Sequence, residues 1–275
     1  MINDITLGQY FPGDSVIHRA DPRMKLIIAF IMIGAVFAAS SLISFAFLAL
    51  VVVLLIFISK ISPLVVIKGM KPVLFILFFT AFIQVFLTRT GTLIAEWWIF
   101  KIYSDGLMMA FKMMCRIALL VASTSLLLSY TTSPIALTDG IEGLLSPLKK
   151  LGLNTHDFAM MMSIAMRFIP TIIEETDKIM SAQKARGTDF SSGGLIKRAK
   201  AMIPIFVPLL ASEIRRADEL SCAMICRCYR GGEGRTKLKE LKITSKDVIL
   251  LVVCIGILAL VITANILTTH FGLPI

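Results

Sequence analysis

Charged residues and histidines are scarce in this sequence, and their scarcity excludes several classes of protein. Asp, Glu, Lys and Arg make up 17% of the 275 residues, and the three histidines stand at positions 18, 156 and 270. An enzyme that works inside a membrane needs clustered histidine or carboxylate side chains at bilayer depth, and the apolar segments contain no such cluster. We therefore expect no catalytic residues in this chain.

Nucleotide-binding and metal-binding motifs are missing as well. The phosphate-binding pattern Gly-x-x-x-x-Gly-Lys-Ser/Thr does not occur, and the glycine-rich stretch 231–234 lacks both the lysine and a preceding strand. Cys222, Cys226 and Cys228 could gather near a helix end, but a zinc site usually has four ligands and no fourth Cys or His is close. We interpret these cysteines as small packing residues and expect the chain to bind no metal or cofactor.

Apolar residues, in contrast, dominate the sequence. They make up 57% of it, and the mean hydropathy is +0.85, far above the values of soluble domains. Several apolar runs are long enough, or nearly so, to cross a hydrocarbon core, which takes about 20 helical residues. The sequence therefore predicts an all-α, polytopic helical membrane protein with about five spans and additional long amphipathic cytoplasmic helices. The predicted spans are two within 26–59 joined by a turn near 39–41, and one each in 73–88, 106–130 and 248–268, with an external connection at 90–105.

The positive charges predict the orientation. Residues 131–246 contain 18 of the 28 lysines and arginines, and residues 1–25 contain three more. Because Lys and Arg accumulate on the cytoplasmic side, we expect a plasma-membrane protein with a cytoplasmic N-terminus. The net charge of +10 then reflects orientation rather than nucleic-acid binding. Three regions follow: a membrane domain of about four spans (1–130), a cytoplasmic domain (131–246) and a last span (247–275).

Two pairs of residues interrupt the apolar pattern. Lys112 and Arg116 are four positions apart and share a helix face within the fourth span. Either Lys112 extends towards the headgroups while Arg116 meets a carbonyl or carboxylate inside the protein, or both lie on a transport pathway. Gly140 and Gly143 are expected to loosen a short interfacial helix after that span.

Two long helical runs in the cytoplasmic part end alike. The first covers 155–186 and ends in Ala185-Arg186-Gly187, and the second covers 195–228 and ends in Cys226-Arg227-Cys228. A cation at the negative end of a helix is favourable by itself. The repetition between small residues favours a second interpretation, in which each exposed guanidinium enters a carboxylate-lined pocket on another protein.

The apolar faces of these two runs are also distinctive. In the second run, apolar and small residues recur every three or four positions, and we expect this face to pack against the first run. The stripe consists of Ile203, Phe206, Val207, Leu210, Ile214, Ala217, Ser221, Met224 and Cys228. In the first run, methionines crowd the apolar half, where they form either ordinary packing or an adaptable surface for several partners. They are Met160, Met161, Met162 and Met166.

Over nearly its whole length, the chain resembles the transmembrane T component of energy-coupling factor (ECF) transporters, which take up vitamins in prokaryotes. The matching segments are Leu7-Gly8-Gln9-Tyr10, Pro12-Gly13-Asp14-Ser15, Asp21-Pro22-Arg23, Arg167-Phe168-Ile169-Pro170, Ala185-Arg186-Gly187, Arg215-Arg216-Ala217-Asp218 and the stretch from Arg227 to Arg235. At the second arginine the family most often has Ala-Arg-Gly, whereas this chain has Cys226-Arg227-Cys228. The arginine is retained and its neighbours are small.

The resemblance implies a multi-subunit ABC-type transporter. By it, the two long runs are crossed coupling helices, and the arginines dock onto two ABC-type ATPase subunits that bind ATP and Mg. It also implies a membrane-embedded, substrate-binding S component, which Met160, Met161, Met162, Met166 and Pro170 would face. The alternative is a self-sufficient secondary carrier, which would need broken spans in repeated halves, and the sequence has no internal repeat.

Overall fold

The computed structural model describes residues 10–147, 155–231 and 243–270, apart from 89, 91, 98, 99, 189 and 191–193. The described chain forms two compact units. The first, here called the membrane unit, contains the described residues up to 143 together with those from 243 to 270. The second, the helix-pair unit, contains the described residues from 144 to 231.

The membrane unit consists of helices with one short hairpin. Its helices are α1 (Val16–Arg19), α2 (Pro22–Ala38), α3 (Leu42–Ser59), α4 (Pro63–Leu87), α5 (Ser104–Thr124), α6 (Pro134–Leu145, whose last two residues belong to the other unit) and α9 (Ser245–His270). A π-helical segment, Ser125–Tyr130, continues α5. Strands β1 (Leu93–Trp97) and β2 (Phe100–Tyr103) pair antiparallel between α4 and α5, within the predicted external connection.

Four helices of the membrane unit are long and apolar enough to cross a bilayer. They are Leu42–Ser59, Pro63–Leu87, Ser104–Tyr130 and Ser245–Thr268. Helix α2 has 17 residues, which corresponds to a length of about 25 Å, and it packs against α5 and α9. The prediction of an all-α polytopic membrane protein is thus confirmed, with α2 as the shortest of the five predicted spans.

Local sequence signals explain where these helices begin and end. The Asp21 carboxylate accepts a hydrogen bond from the Arg23 amide at 2.9 Å, and Pro22 occupies the first turn of α2. Lys60 ends α3 in the left-handed conformation, with φ of 57°.

The third span was predicted to begin at residue 73, after Pro72. That boundary is wrong, because α4 begins at Pro63 and contains Pro72 in its interior.

The predicted turn near 39–41 is confirmed, and polar side chains from two other helices hold it. Asn265 of α9 accepts hydrogen bonds from the Ser41 amide and, at 2.8 Å, from the Ser44 hydroxyl. Arg116 of α5 donates to the Ala39 carbonyl at 2.7 Å, and its guanidinium lies 5.7 Å from the centre of the Phe45 ring. Arg116 therefore meets a carbonyl inside the protein, as the first of the two alternatives for it required.

A buried lysine joins three segments at the opposite end of α2. Lys25 is 1% exposed, and its ammonium donates to the carbonyls of His18 and Thr131 at 3.2 and 2.8 Å and to the Thr132 hydroxyl at 3.3 Å. Burial, with the nearby Lys25 charge, lowers the pKa of His18 below its usual value, so the ring stays neutral near pH 7. Through these three bonds, Lys25 fixes together α1, the start of α2 and the residues after the π-helical segment.

Helix α6 approaches the start of α2 through its glycines. A Cβ atom on Gly140 would lie 2.9 Å from the Pro22 Cβ, and one on Gly143 would lie 2.0 Å from the Arg23 Nε. We expected these glycines to loosen the helix. That expectation is wrong, because α6 continues through both positions and they provide the space for close packing.

Candidate docking site

The helix-pair unit is built from two long helices that match the predicted runs closely. Helix α7 covers Thr155–Ala185 and α8 covers Leu195–Cys226. Prolines lie inside both helices, Pro170 in α7 and both Pro204 and Pro208 in α8. The two helices pack against each other.

Polar side chains connect α7 and α8. The Arg216 guanidinium donates to the Glu175 carboxylate at 2.8 Å, and the Ser212 hydroxyl donates to the other carboxylate oxygen of the same residue. A second carboxylate, Glu213, lies 3.5 Å from Arg216 on the same helix. The Arg216 guanidinium also lies 5.9 Å from the centre of the Phe168 ring of α7. We call Phe168, Glu175, Ser212 and Arg216 the crossing cluster.

Helix α7 ends in a hydrogen-bonded cap centred on Arg186. Gly187 follows the arginine in the left-handed conformation, with φ of 86°. The Gly187 amide donates to the Lys184 carbonyl at 2.9 Å, and the Thr188 amide donates to the Gln183 carbonyl at 3.1 Å. These two bonds are those of a Schellman motif, in which Arg186 is the C-cap residue.

Helix α8 ends in the same cap, centred on Arg227. Cys228 follows the arginine with φ of 58°. Its amide donates to the Ile225 carbonyl at 2.9 Å, and the Tyr229 amide donates to the Met224 carbonyl at 3.0 Å. Arg227 is therefore the C-cap residue of a second Schellman motif, and the likeness between Ala185-Arg186-Gly187 and Cys226-Arg227-Cys228 extends from residue type to backbone geometry.

Both C-cap arginines are exposed. Within the described parts of the chain, neither Arg186 nor Arg227 forms an ion pair. Their small neighbours, Ala185 and Cys226, are exposed too, so nothing covers the guanidinium from the preceding turn. Each tip presents five N–H donors, and this geometry suits bidentate binding of a carboxylate.

The three cysteines near the second tip lie on the surface. Cys222, Cys226 and Cys228 are free and exposed. Among the described residues, no group of three His, Cys, Asp or Glu side chains is arranged to hold a metal ion. The expectation that these cysteines serve as packing residues is wrong for the described chain, since all three side chains face outward.

The methionine-rich half of α7 is partly exposed. Met161 is 59% and Met162 38% exposed, whereas Met160 and Met166 are half-buried. Pro170, one turn after Met166, is exposed. The five residues predicted to face a membrane partner therefore include three with accessible side chains.

The apolar stripe of α8 was expected to pack against α7, and this expectation is wrong. Ile203, Phe206 and Ile214 are 56%, 61% and 56% exposed. The side of α8 that contacts α7 contains Ser212 and Arg216 instead. The stripe is thus an apolar helix face that the described chain leaves uncovered, a feature typical of interaction surfaces.

The crossing cluster was not predicted. Arg216 is not among the residues of the apolar stripe, and its partner Glu175 lies 41 positions earlier in the chain. No spacing rule within one helix connects residues on two helices. One sequence signal could have indicated the pairing. Glu175 is a carboxylate close to the face of α7 that contains the apolar residues Ile172 and Ile179.

The architecture and the two tips define a class of protein: a polytopic membrane protein with a pair of amphipathic helices, each of which ends in an exposed arginine within the same type of cap. Residues 13–238 match the model of the cobalt transport protein family, CbiQ. The chain is 49% identical to the energy-coupling factor transporter transmembrane protein EcfT of Clostridium kluyveri over 265 residues, covering 94% of this chain and 98% of that protein.

Two further relatives have the same name. The EcfT of Ruminiclostridium cellulolyticum is 50% identical over 249 residues, which cover 90% of this chain and 92% of the relative. The EcfT of Bacillus subtilis is 44% identical over 260 residues, which cover 94% and 98%. The chain belongs to the family of transmembrane proteins of energy-coupling factor transporters, and it is a membrane-embedded component of such a transporter.

Proposed function

We propose that this chain transmits the work of two ABC-type ATPase subunits to a separate, substrate-binding S component. The ATPases bind ATP and Mg and perform the hydrolysis, whereas this chain binds no cofactor and catalyses no reaction. The observation that carries the proposal is the pair of Schellman caps, each of which presents one exposed arginine. Two tips with the same cap geometry are suited to bind two partner subunits of similar structure.

The docking chemistry follows from the geometry of the tips. The C-terminal end of a helix has a partial negative charge. The positive guanidinium of a C-cap arginine therefore interacts favourably with this end even when no partner protein is bound. A carboxylate-lined groove on each ATPase would replace water around the guanidinium with paired hydrogen bonds. Removal of one partner from such a buried pair costs about 2–5 kcal/mol of binding free energy.

A second surface suits the S component. The exposed stripe of α8 and the accessible methionines of α7 offer apolar side chains, and unbranched methionines adapt to differently shaped partners. ATP binding would draw the ATPases and their arginine tips together. The crossed helices would then tilt the S component, and vitamin would be released into the cell. This arrangement requires the N-terminus and the helix pair to be cytoplasmic.

The experiment replaces both tip arginines. We expect Arg186→Ala with Arg227→Ala to release the ATPases from membranes and to abolish vitamin uptake, because each docking contact loses its charge. Co-purification of the ATPases and uptake of tritiated B vitamins by cells are the measurements. Lys184→Ala and Arg230→Ala are the matched controls, since they remove exposed cations within three positions of each tip and should change neither result.

Normal uptake by the double variant would disprove the proposal. The alternative, a self-sufficient carrier, makes the opposite prediction for the purified chain. Such a carrier would bind a vitamin without any partner and would retain uptake when the ATPases are deleted.

A further inference from the structure

The crossing cluster connects α7 and α8, and the proposed docking function does not use it. Both oxygens of the Glu175 carboxylate are occupied, one by Arg216 at 2.8 Å and the other by the Ser212 hydroxyl. The Arg216 guanidinium in turn faces Glu175, Glu213 and the Phe168 ring. Glu175 on α7 thus binds two groups of α8, and Arg216 on α8 contacts groups on both helices.

The ion pair between Glu175 and Arg216 is partly shielded from water. The Glu175 and Arg216 side chains are 22% and 28% exposed, whereas their neighbours Glu174 and Arg215 are exposed. A half-buried ion pair stabilises little more than apolar packing of the same size would. It differs from apolar packing in being directional, because the Glu175 carboxylate accepts one bond from Arg216 and one from Ser212, and both bonds need one relative position of the two helices.

The crossing cluster lies several helical turns away from both arginine tips. Glu175 lies 11 residues before Arg186, and Arg216 lies 11 residues before Arg227. At the rise of an α-helix each separation corresponds to about 16 Å. A small rotation of one helix about the cluster therefore displaces its arginine tip by several ångströms. A force applied at the tip would likewise rotate the helix about the cluster.

We propose that Glu175 and Arg216 form the pivot of the helix pair: they fix the point about which α7 and α8 turn, so that movement of the tips is transmitted rather than lost by sliding. They are positioning residues, since they act through the helices and touch neither nucleotide nor vitamin. This inference rests on the proposed function. It adds the requirement that docking is insufficient for transport without a fixed crossing point.

The test separates docking from coupling in the complete transporter complex. The variants are Glu175→Gln, Arg216→Gln and the two combined, with Glu174→Gln and Arg215→Gln as controls that remove the same charges from exposed neighbouring positions. Co-purified ATPase subunits, ATP hydrolysis and uptake of tritiated riboflavin, folate, biotin and thiamin are measured. We expect normal docking, ATP hydrolysis within about twofold of the wild type, and at least a tenfold loss of uptake per ATP hydrolysed.

The combined variant and a conservative variant distinguish a pivot from a general loss of structure. Because the two residues act as one unit, the combined variant should be no worse than the poorer single variant. Arg216→Lys keeps the charge but replaces the planar guanidinium with a single ammonium group, so its uptake should lie between those of the wild type and Arg216→Gln. Losses that simply multiply in the combined variant would overturn the inference.

A distance measurement tests the pivot without transport. Ketone-bearing amino acids at the exposed positions of Ser181 and Ser221 accept spin labels while all native cysteines remain. The wild type should give one narrow distance distribution, and Glu175→Gln a distribution at least twice as wide. Equal widths with normal uptake would overturn the pivot and leave the proposed function standing, whereas failure of the wild type to bind ATPases would disprove the proposed function itself.

Discussion

Arg227 and Arg186 show how one backbone geometry is reached with different residues. After Arg186 the left-handed position is filled by Gly187, which adopts positive φ without a steric penalty. After Arg227 the same position is filled by Cys228, whose Cβ crowds the backbone at φ of 58°. For a residue with a side chain, this conformation costs about 1–2 kcal/mol. The backbone conformation of Cys228 therefore destabilises the second cap, whereas Gly187 causes no such destabilisation in the first cap.

Replacement of Cys228 tests this difference. Cys228→Gly should stabilise the α8 cap by about 1 kcal/mol, and Cys228→Val should destabilise it by at least as much, because a β-branched side chain fits this region worst. Hydrogen exchange of the Tyr229 amide, which donates to the Met224 carbonyl, reports on the cap directly. Protection should rise in the glycine variant and fall in the valine variant.

Cys226→Ala is the control for this measurement. Cys226 is the last residue of α8 and has a helical backbone, so its replacement relieves no strain. If the alanine variant changes Tyr229 protection as much as Cys228→Gly does, the effect comes from loss of a thiol and the argument from φ is wrong.

Among the elements, α6 depends on glycine for its position rather than for flexibility. The alanine Cβ of Gly143→Ala would lie 2.0 Å from the Arg23 Nε, which is buried. The side chain of Arg23 or the whole helix must therefore move. We expect a loss of about 1–3 kcal/mol, as for other overpacked sites, measured as a lower midpoint of thermal unfolding in detergent. Gly140→Ala should act in the same direction, since its Cβ meets the Pro22 backbone.

Gly256→Ala provides the comparison for α6. Gly256 lies inside α9, and a Cβ atom there would have no neighbour within 4 Å. Alanine should be neutral or slightly stabilising at this position, because it favours the helix more than glycine does. A similar loss for Gly256→Ala and Gly143→Ala would contradict the close-packing explanation.

At the scale of elements, the sequence located the long helices but not their contacts. The ends of α7 and α8 lie within about two residues of the predicted ones, because caps and hydrophobic periodicity are local signals. The stripe containing Phe206 was assigned the wrong neighbour, since periodicity identifies an apolar face without identifying what covers it. The start of the third span was misplaced at residue 73 for a related reason: only the surrounding structure shows that α4 continues through Pro72.

The candidate site was predictable to the same extent. The repeated Arg-containing tips were evident from the sequence, and the structure adds their common cap. The pairing of Glu175 with Arg216 depends on how two helices cross, and this information is distributed over many positions of the chain. The roles of Arg186 and Arg227 in docking stay predictions.

In the molecule as a whole, Lys25 connects parts of the membrane unit that are far apart in sequence. Its ammonium bonds to the carbonyls of His18 and Thr131, which lie before α2 and after the π-helical segment. Lys25→Met keeps the length of the side chain but leaves these buried carbonyls unpaired. Bonds to a charged donor contribute about 1.5–3 kcal/mol each, so we expect a loss of several kcal/mol and a clearly lower unfolding midpoint in detergent.

Lys68→Met serves as the counterpart, because Lys68 is exposed on α4. Removal of its charge should leave the unfolding midpoint within experimental error, since exposed lysines contribute little to stability. If both variants unfold at the same temperature as the wild type, the buried lysine does not hold these segments together.

The uncovered stripe of α8 has a consequence for the life of the protein in the cell. If the proposed partner covers this stripe in the transporter, a chain made without that partner displays Phe206 and its apolar neighbours, and such surfaces are what chaperones and degradative proteases recognise. Copies made in excess of the partner subunits should therefore be destroyed. The cellular abundance of this subunit would then be set by the supply of its partners, and no transcriptional control would be needed to keep the stoichiometry balanced.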